Sequence, residues 1–140
     1  MLKRRVFPYP AHVGHEAAHR WFGDVGWVSW ATCPITENGV LRIVGHPKYP
    51  NSADSPAEVA PIVARLRALP GHVFWTDDLC LMGSDRVDAA QIATPGQVTD
   101  TYLLALAVAR RGQLATFDRR LSGEAVRGGK NRVRSYRAAR

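Results

Sequence analysis

The sequence predicts an α/β fold built on a mostly parallel sheet, and three observations support this. Helix-like and strand-like apolar patterns alternate along most of the chain, as expected when helices cover a sheet. The run Val98 to Asp118, VTDTYLLALAVARRGQLATFD, reads as an apolar helix from about Thr99 to Arg110, a turn at Gly112, and a short apolar strand from Gln113 to Phe117. Carboxylates fall beside the expected strand ends, where open α/β sheets bind their ligands. With 140 residues, 46% of them hydrophobic, the chain can bury the core of one domain. No internal repeat or linker interrupts it.

Taken in order, residues 1 to 11 are atypical: MLKRRVFPYP places three cations before Pro8 and Pro10, a poor composition for a buried central strand. Val13 to Val25 reads as a helix with Ala17, Ala18, Trp21, Phe22 and Val25 on one side. Trp27 to Cys33 is a short apolar strand ended by Pro34, and Thr36 starts a helix through about Val44. After a loop with Pro47 and Pro50, Ser55-Pro56-Ala57-Glu58 forms a capping box with proline at the first helical position. The helix that follows is expected to bury Val59, Ile62, Val63, Leu66 and Leu69, with Pro61 kinking it or delaying its start. Pro70-Gly71 ends it, and His72 to Trp75 is the next strand. Asp77 to Ala93 is expected to hold one helical stretch and loops. Gly112 is expected to cap the apolar helix, and Asn131 to Tyr136 alternates enough for a weak edge strand. The four tryptophans Trp21, Trp27, Trp30 and Trp75 fall in periodic apolar segments and are expected in the core.

The net charge of +7 resides at the ends. Lys3, Arg4, Arg5, Arg127, Lys130, Arg132, Arg134, Arg137 and Arg140 leave ten basic against twelve acidic residues between positions 6 and 126, a net of −2. We therefore divide the chain into a domain over residues 1–126 and a basic tail over 127–140. Such a tail either attracts nucleic acid or is a solvated appendage. Cys33 and Cys80 lack C-x-x-C spacing, so reduced thiols and a cytoplasmic setting are expected. No segment is long and apolar enough to span a membrane, and the basic start lacks the apolar stretch of a signal peptide.

Two acids flank the apolar run. An ionised carboxylate beside a buried helix is costly unless paired or bound to a metal, so Asp100 needs a partner. Asp118 closes the following strand, and Glu37 lies just beyond the strand that ends at Cys33, so a parallel sheet would bring all three to one edge. Each has an ordinary explanation: Asp100 suits a first helical turn, and Asp118 could cap a short last helix. Their convergence is what favours a hard divalent cation, since Mg2+ takes oxygen ligands and often only one or two carboxylates. A rival pattern is His15-Glu16-Ala17-Ala18-His19, literally the H-E-x-x-H of zinc proteases. Phe22 stands where the longer form of that motif needs glycine, and Glu16 falls opposite the apolar stripe. His12, His46 and His72 have no ligand spacing, and no glycine-rich phosphate loop is present.

VTDTYLLALA followed by LATFDRRL, with WATCPITENGVLRIV far upstream, resembles the PIN-domain ribonucleases that serve as toxins in VapBC-type toxin-antitoxin modules. The resemblance runs from about His12 to Leu121. It implies a PIN-like three-layer α/β/α sandwich around a mostly parallel sheet, with an atypical first strand in this chain. It also implies that Glu37, Asp100 and Asp118 bind Mg2+ or Mn2+ and hydrolyse RNA, with Arg119 and Arg120 placed to meet phosphate oxygens and Arg132 and Arg134 to attract RNA. A cognate antitoxin and a homodimer are the implied partners. The family's first strand normally bears an Asp in a D-x-N pattern, whereas no acid precedes Glu16 here. An upstream D-x-N strand is the corresponding expectation. The readings that follow are an active ribonuclease toxin, an impaired relative that still binds antitoxin or RNA, and, remotely, a zinc protease.

Overall fold

The computed structural model describes residues 5–6, 23, 28–49, 55–116 and 120–135. Its five strands are β1 (Arg5–Val6), β2 (Trp30–Thr32), β3 (His72–Phe74), β4 (Gln113–Thr116) and β5 (Val133–Ser135). They form one sheet in the order β3-β2-β1-β4-β5, with every pairing parallel. Its α-helices are α1 (Pro34–Val44), α2 (Pro56–Arg67) and α3 (Val98–Ala109). The mixed α/β class with a parallel sheet is thus the observed one. The helix expected over Val13 to Val25, and the H-E-x-x-H within it, lie outside the described residues except for Gly23, which is helical and exposed.

β1 departs from expectation. The N-terminal segment, read as unfit for the interior of a sheet, supplies its middle strand: Arg5 pairs with Trp30 and Gln113, and Val6 with Ala31 and Leu114. A ladder is made from backbone N–H and C=O groups that any residue but proline provides, and Pro8 and Pro10 come after the two paired residues.

α3 is the helix its sequence describes. Each residue from Thr101 to Ala107 is buried, because a helix apolar on every side is stable only when covered on every side. Leu103, Leu104 and Leu106 join Ala31, Cys33, Trp75, Leu114 and Val126 in one core. Each fully buried leucine contributes about 1.5–3 kcal/mol. The helix ends one residue differently from the expected glycine cap. Arg111 takes the left-handed conformation at φ 58°, its N–H bonding Val108 O at 3.1 Å while the Gly112 N–H bonds Ala107 O at 2.7 Å. These two bonds define a Schellman ending in which the strained position is Arg111.

α1 begins at Pro34, two residues before Thr36. Proline, read as a strand terminator, also suits the first helical position because its missing N–H would find no helical partner there. α2 has the expected cap, the Ser55 hydroxyl accepting from the Glu58 N–H at 3.3 Å, and it continues through Pro61. Its expected apolar face is only partly covered. Val59 is buried, Val63, Leu66 and Leu69 are half-buried, and Ile62 is 43% exposed. Among the described residues, α2 packs on α1 and on the edge strand β3.

The basic C-terminal segment is part of the sheet as far as Ser135. β5 pairs with β4 from Leu114↔Val133 to Thr116↔Ser135, which makes it the edge strand expected over Asn131 to Tyr136. Before it, Lys130–Arg132 form a 3-10 turn, although no helix was expected after Gly128-Gly129. Gly129 sits so close to the main chain of Gly123 that a Cβ there would lie 2.8 Å from the Gly123 carbonyl oxygen. Val87 and Val126 form an antiparallel bridge, tying this region to the loop that precedes α3. Among the described residues, no helix is long and apolar enough to cross a membrane.

Candidate active site at the carboxyl end of the sheet

Residues alternate faces along a strand, and the contacts show what each face meets. Ala31 and Val73 pack into the core that contains α3. Trp30, Thr32, His72 and Phe74 point the other way, toward α1 and α2. There the Thr32 hydroxyl donates to Glu37 Oε2 at 2.5 Å and lies 2.8 Å from His72 Nε2. The Trp30 and His72 rings approach to 4.6 Å between centroids. Arg67, in the last turn of α2, brings Nε to 3.2 Å from the same Oε2 atom and rests its guanidinium 5.2 Å over the Phe74 ring.

Glu37 is held at this place by the local chain. Cys33 caps α1, and Thr36 Oγ1 accepts from the Cys33 N–H at 2.9 Å. The Glu37 N–H then bonds Cys33 O at 3.0 Å. An acid in the first turn faces the helix's free N–H groups, a favourable setting for a carboxylate. The Glu37 side chain is 17% exposed and that of Arg67 46%, so the pair sits at the boundary with solvent and its Coulomb energy is screened. Both contacts converge on Oε2. Among the described residues, none is recorded on Oε1.

Asp100 occupies the first turn of α3 and is half-buried. Nine residues separate it from the helix end, about 13 Å at 1.5 Å per residue. The four residues of β4 run back alongside for a similar length at about 3.3 Å each. Asp100 is therefore level with the carboxyl end of β4, the same edge of the sheet from which β2 delivers Glu37. Asp118 and Arg119 lie outside the described residues, two and three positions past the end of β4. Arg120 is exposed and follows them.

The remaining basic candidates divide. Arg134 is exposed on β5. Arg132 points its guanidinium at the Arg111 carbonyl, 3.5 Å away, at the turn that enters β4 and hence at the amino end of the strands. The three residues that sequence reasoning did not single out are Thr32, His72 and Arg67. In-register pairing of β2 with β3 puts Trp30, Thr32, His72 and Phe74 on one face, an arrangement that no local sequence pattern announces. Trp30 and Trp75 are buried as expected, and Cys33 and Cys80 are both free thiols.

The donors offered by Glu37, Asp100 and Asp118 are all carboxylate oxygens, the chemistry that suits Mg2+ or Mn2+. Among the described residues, which exclude Asp118, no three His, Cys, Asp or Glu side chains are close enough to hold a metal ion.

The sequence has clear relatives. Ribonuclease VapC44 of Mycobacterium tuberculosis (strain ATCC 25618 / H37Rv) is 40% identical over 117 residues, 84% of this chain and 82% of the relative. Ribonuclease VapC39 of the same strain is 38% identical over 120 residues, 86% of both chains, and Ribonuclease VapC38 is 38% identical over 110, covering 79% and 76%. No protein-family model matches the chain, and no solved structure matches it at a significant level. The chain belongs to the VapC family, the PIN-domain ribonucleases of VapBC toxin-antitoxin modules.

Proposed function

We propose that this protein is a Mg2+- or Mn2+-dependent endoribonuclease, the toxin of a toxin-antitoxin pair, acting in the cytoplasm and neutralised by a cognate antitoxin. The observation that supports this most is the 40% identity to a curated VapC ribonuclease over 84% of the chain. In this reading the acids of ITENG, VTDTY and TFDRR meet where a parallel sheet presents ligands, the helices complete a PIN-like three-layer sandwich, and two copies form a homodimer.

Glu37, Asp100 and Asp118 would hold the cation. When bound, it supplies Lewis-acid polarisation of a phosphate oxygen and acidifies a coordinated water. The protein's own part is positional and acid-base. In this reading Asp100 and Asp118 supply carboxylate donors, and a carboxylate of the set orients or deprotonates the attacking water. Arg119 and Arg120, next after Asp118 in the sequence, would meet phosphate oxygens, while Arg134 and Arg132 would add longer-range attraction. Incubation of the purified chain with RNA should give cleavage that requires Mg2+ or Mn2+ and stops with chelator. Cleavage indifferent to both chelator and Asp100→Asn would refute the assignment.

A second reading is favoured by one observation. The middle strand of the sheet is Arg5–Val6, and no acid precedes Glu16. A site without a carboxylate from that strand has less negative charge for the cation, so this chain would bind Mg2+ more weakly and serve mainly as an antitoxin-binding or RNA-binding relative. A Mg2+ requirement in the millimolar range, with antitoxin binding intact, would select this reading.

A further inference from the structure

The face of the sheet opposite α3 contains a line of polar groups that ends on Glu37. It runs from His72 Nε2 to Thr32 Oγ1 at 2.8 Å and from Thr32 Oγ1 to Glu37 Oε2 at 2.5 Å. Thr32 is buried at 6% exposure, and its two bonds constrain each other. A threonine hydroxyl has one hydrogen to donate, and an ionised carboxylate can only accept. The hydroxyl hydrogen therefore goes to Glu37, which leaves His72 Nε2 as the donor to Thr32. The imidazole must carry a proton on Nε2. The Trp30 ring, 4.6 Å away, restricts how His72 can turn, and the β2–β3 register keeps residues 30 to 32 opposite 72 to 74.

We propose that Thr32 and His72 are positioning residues of the ribonuclease site: they clamp Oε2 of Glu37 so that its other oxygen, Oε1, is presented to the cation. The proposal rests on the reading of Glu37 as a site carboxylate. Two features make the clamp more than a satisfied buried threonine. Every recorded contact of the carboxylate, including that of Arg67, falls on Oε2, which fixes the carboxylate's rotation and not merely its position. The line also has a direction, since only the Nε2-protonated imidazole completes it. Residues that orient metal-binding side chains in this way typically change metal affinity about 10- to 100-fold when removed.

The test uses the full chain titrated with Mn2+ alone, free Mn2+ being read by electron paramagnetic resonance, with cleavage of RNA measured in parallel. Thr32→Val preserves shape and removes the hydroxyl, and it should weaken Mn2+ binding about 10-fold; Thr32→Ser restores the hydroxyl and should recover the affinity. His72→Phe keeps a ring beside Trp30 and should weaken binding in the same direction as Thr32→Val. A long-range nitrogen-proton NMR spectrum of the unmodified protein, with His72 assigned through His72→Gln, should show the Nε2-protonated tautomer. Thr32→Val with unchanged Mn2+ affinity, where Glu37→Gln loses it, would overturn the clamp and leave the ribonuclease reading standing. Unchanged Mn2+ affinity and cleavage in Glu37→Gln would remove Glu37 from the site and the clamp with it. A His72 found neutral with its proton on Nδ1 would overturn the direction of the line, whatever the variants do.

Discussion

α3 and α1 each offer a carboxylate at the carboxyl end of the sheet, and they secure it by opposite means. α3 places Asp100 ahead of seven consecutive buried residues, so apolar contact on all sides of the helix sets where that acid stands. α1 buries only Thr36 and Gly39. Its Glu37 is located instead by individual polar contacts to Thr32 and Arg67. Apolar burial is strong and undirected; hydrogen bonds are weaker in net stability but specify angle. The packing of α3 therefore sets where the Asp100 backbone stands, whereas the setting of the Glu37 carboxylate depends on the side chains of Thr32 and Arg67.

The sharpest way to break this contrast is to separate chemistry from stability on each helix. Asp100→Asn should lower RNA cleavage by a factor on the order of 10² to 10⁴, the range for losing a positioned acid or metal-holding group, with little change in melting temperature. Cleavage within a few-fold of the parent would remove Asp100 from the machinery. Leu104→Ala, at a position with no solvent exposure, should cost about 2–5 kcal/mol, a large part of the ~5–15 kcal/mol that holds a domain together. Urea denaturation measures this loss directly. A cost under about 1 kcal/mol would show that α3 is not the anchor it is taken to be.

How much of this was legible in the sequence follows the same division. The α3–β4 hairpin could be read almost to the residue, because a helix apolar on all sides admits one solution and leaves its mark on every position. The edge strand β5 was legible from simple alternation. α2 was over-read: the stripe Val59, Ile62, Val63, Leu66, Leu69 has a helical period, but period reports which side is apolar and not how much of it a neighbour covers. β1 was under-read, since side-chain charge says little about a two-residue backbone ladder. Of the candidate acids, Glu37 and Asp100 could be placed beside strand ends. Thr32, His72 and Arg67 could not be named, because their meeting depends on the β2–β3 register and on α2 returning alongside α1, neither of which leaves a local pattern.

A smaller effect probes the cost of burying α3 completely. Tyr102 is 7% exposed, and its hydroxyl has no hydrogen-bond partner among the described residues. An unsatisfied buried hydroxyl costs about 1–3 kcal/mol, so Tyr102→Phe should leave stability unchanged or raise it by about 1 kcal/mol. A clear loss of stability would reveal a partner for the hydroxyl and weaken the view that α3 is held by apolar contact alone.

The smallest expected effect lies at the end of the same helix and has the most definite sign. Arg111 holds φ at 58°, a conformation that costs a non-glycine residue about 1–2 kcal/mol, and glycine adopts it freely at the price of greater freedom in the unfolded chain. The Arg111 side chain is exposed. What the turn uses are main-chain groups: the Arg111 N–H to Val108 O, the Gly112 N–H to Ala107 O, and the Arg111 carbonyl that faces the Arg132 guanidinium. None of these is lost in Arg111→Gly. The substitution should therefore raise the free energy of unfolding by about 0.5–1 kcal/mol, seen as a higher denaturant midpoint with an unchanged slope. Cleavage should not change, because this turn is at the amino end of β4 and the acids are at the other. If stability falls instead, the arginine side chain supports the turn and the Schellman ending alone does not explain it. If cleavage falls while stability rises, the two ends of the α3–β4 hairpin are coupled, and the rigid placement of Asp100 by its helix would have to be given up.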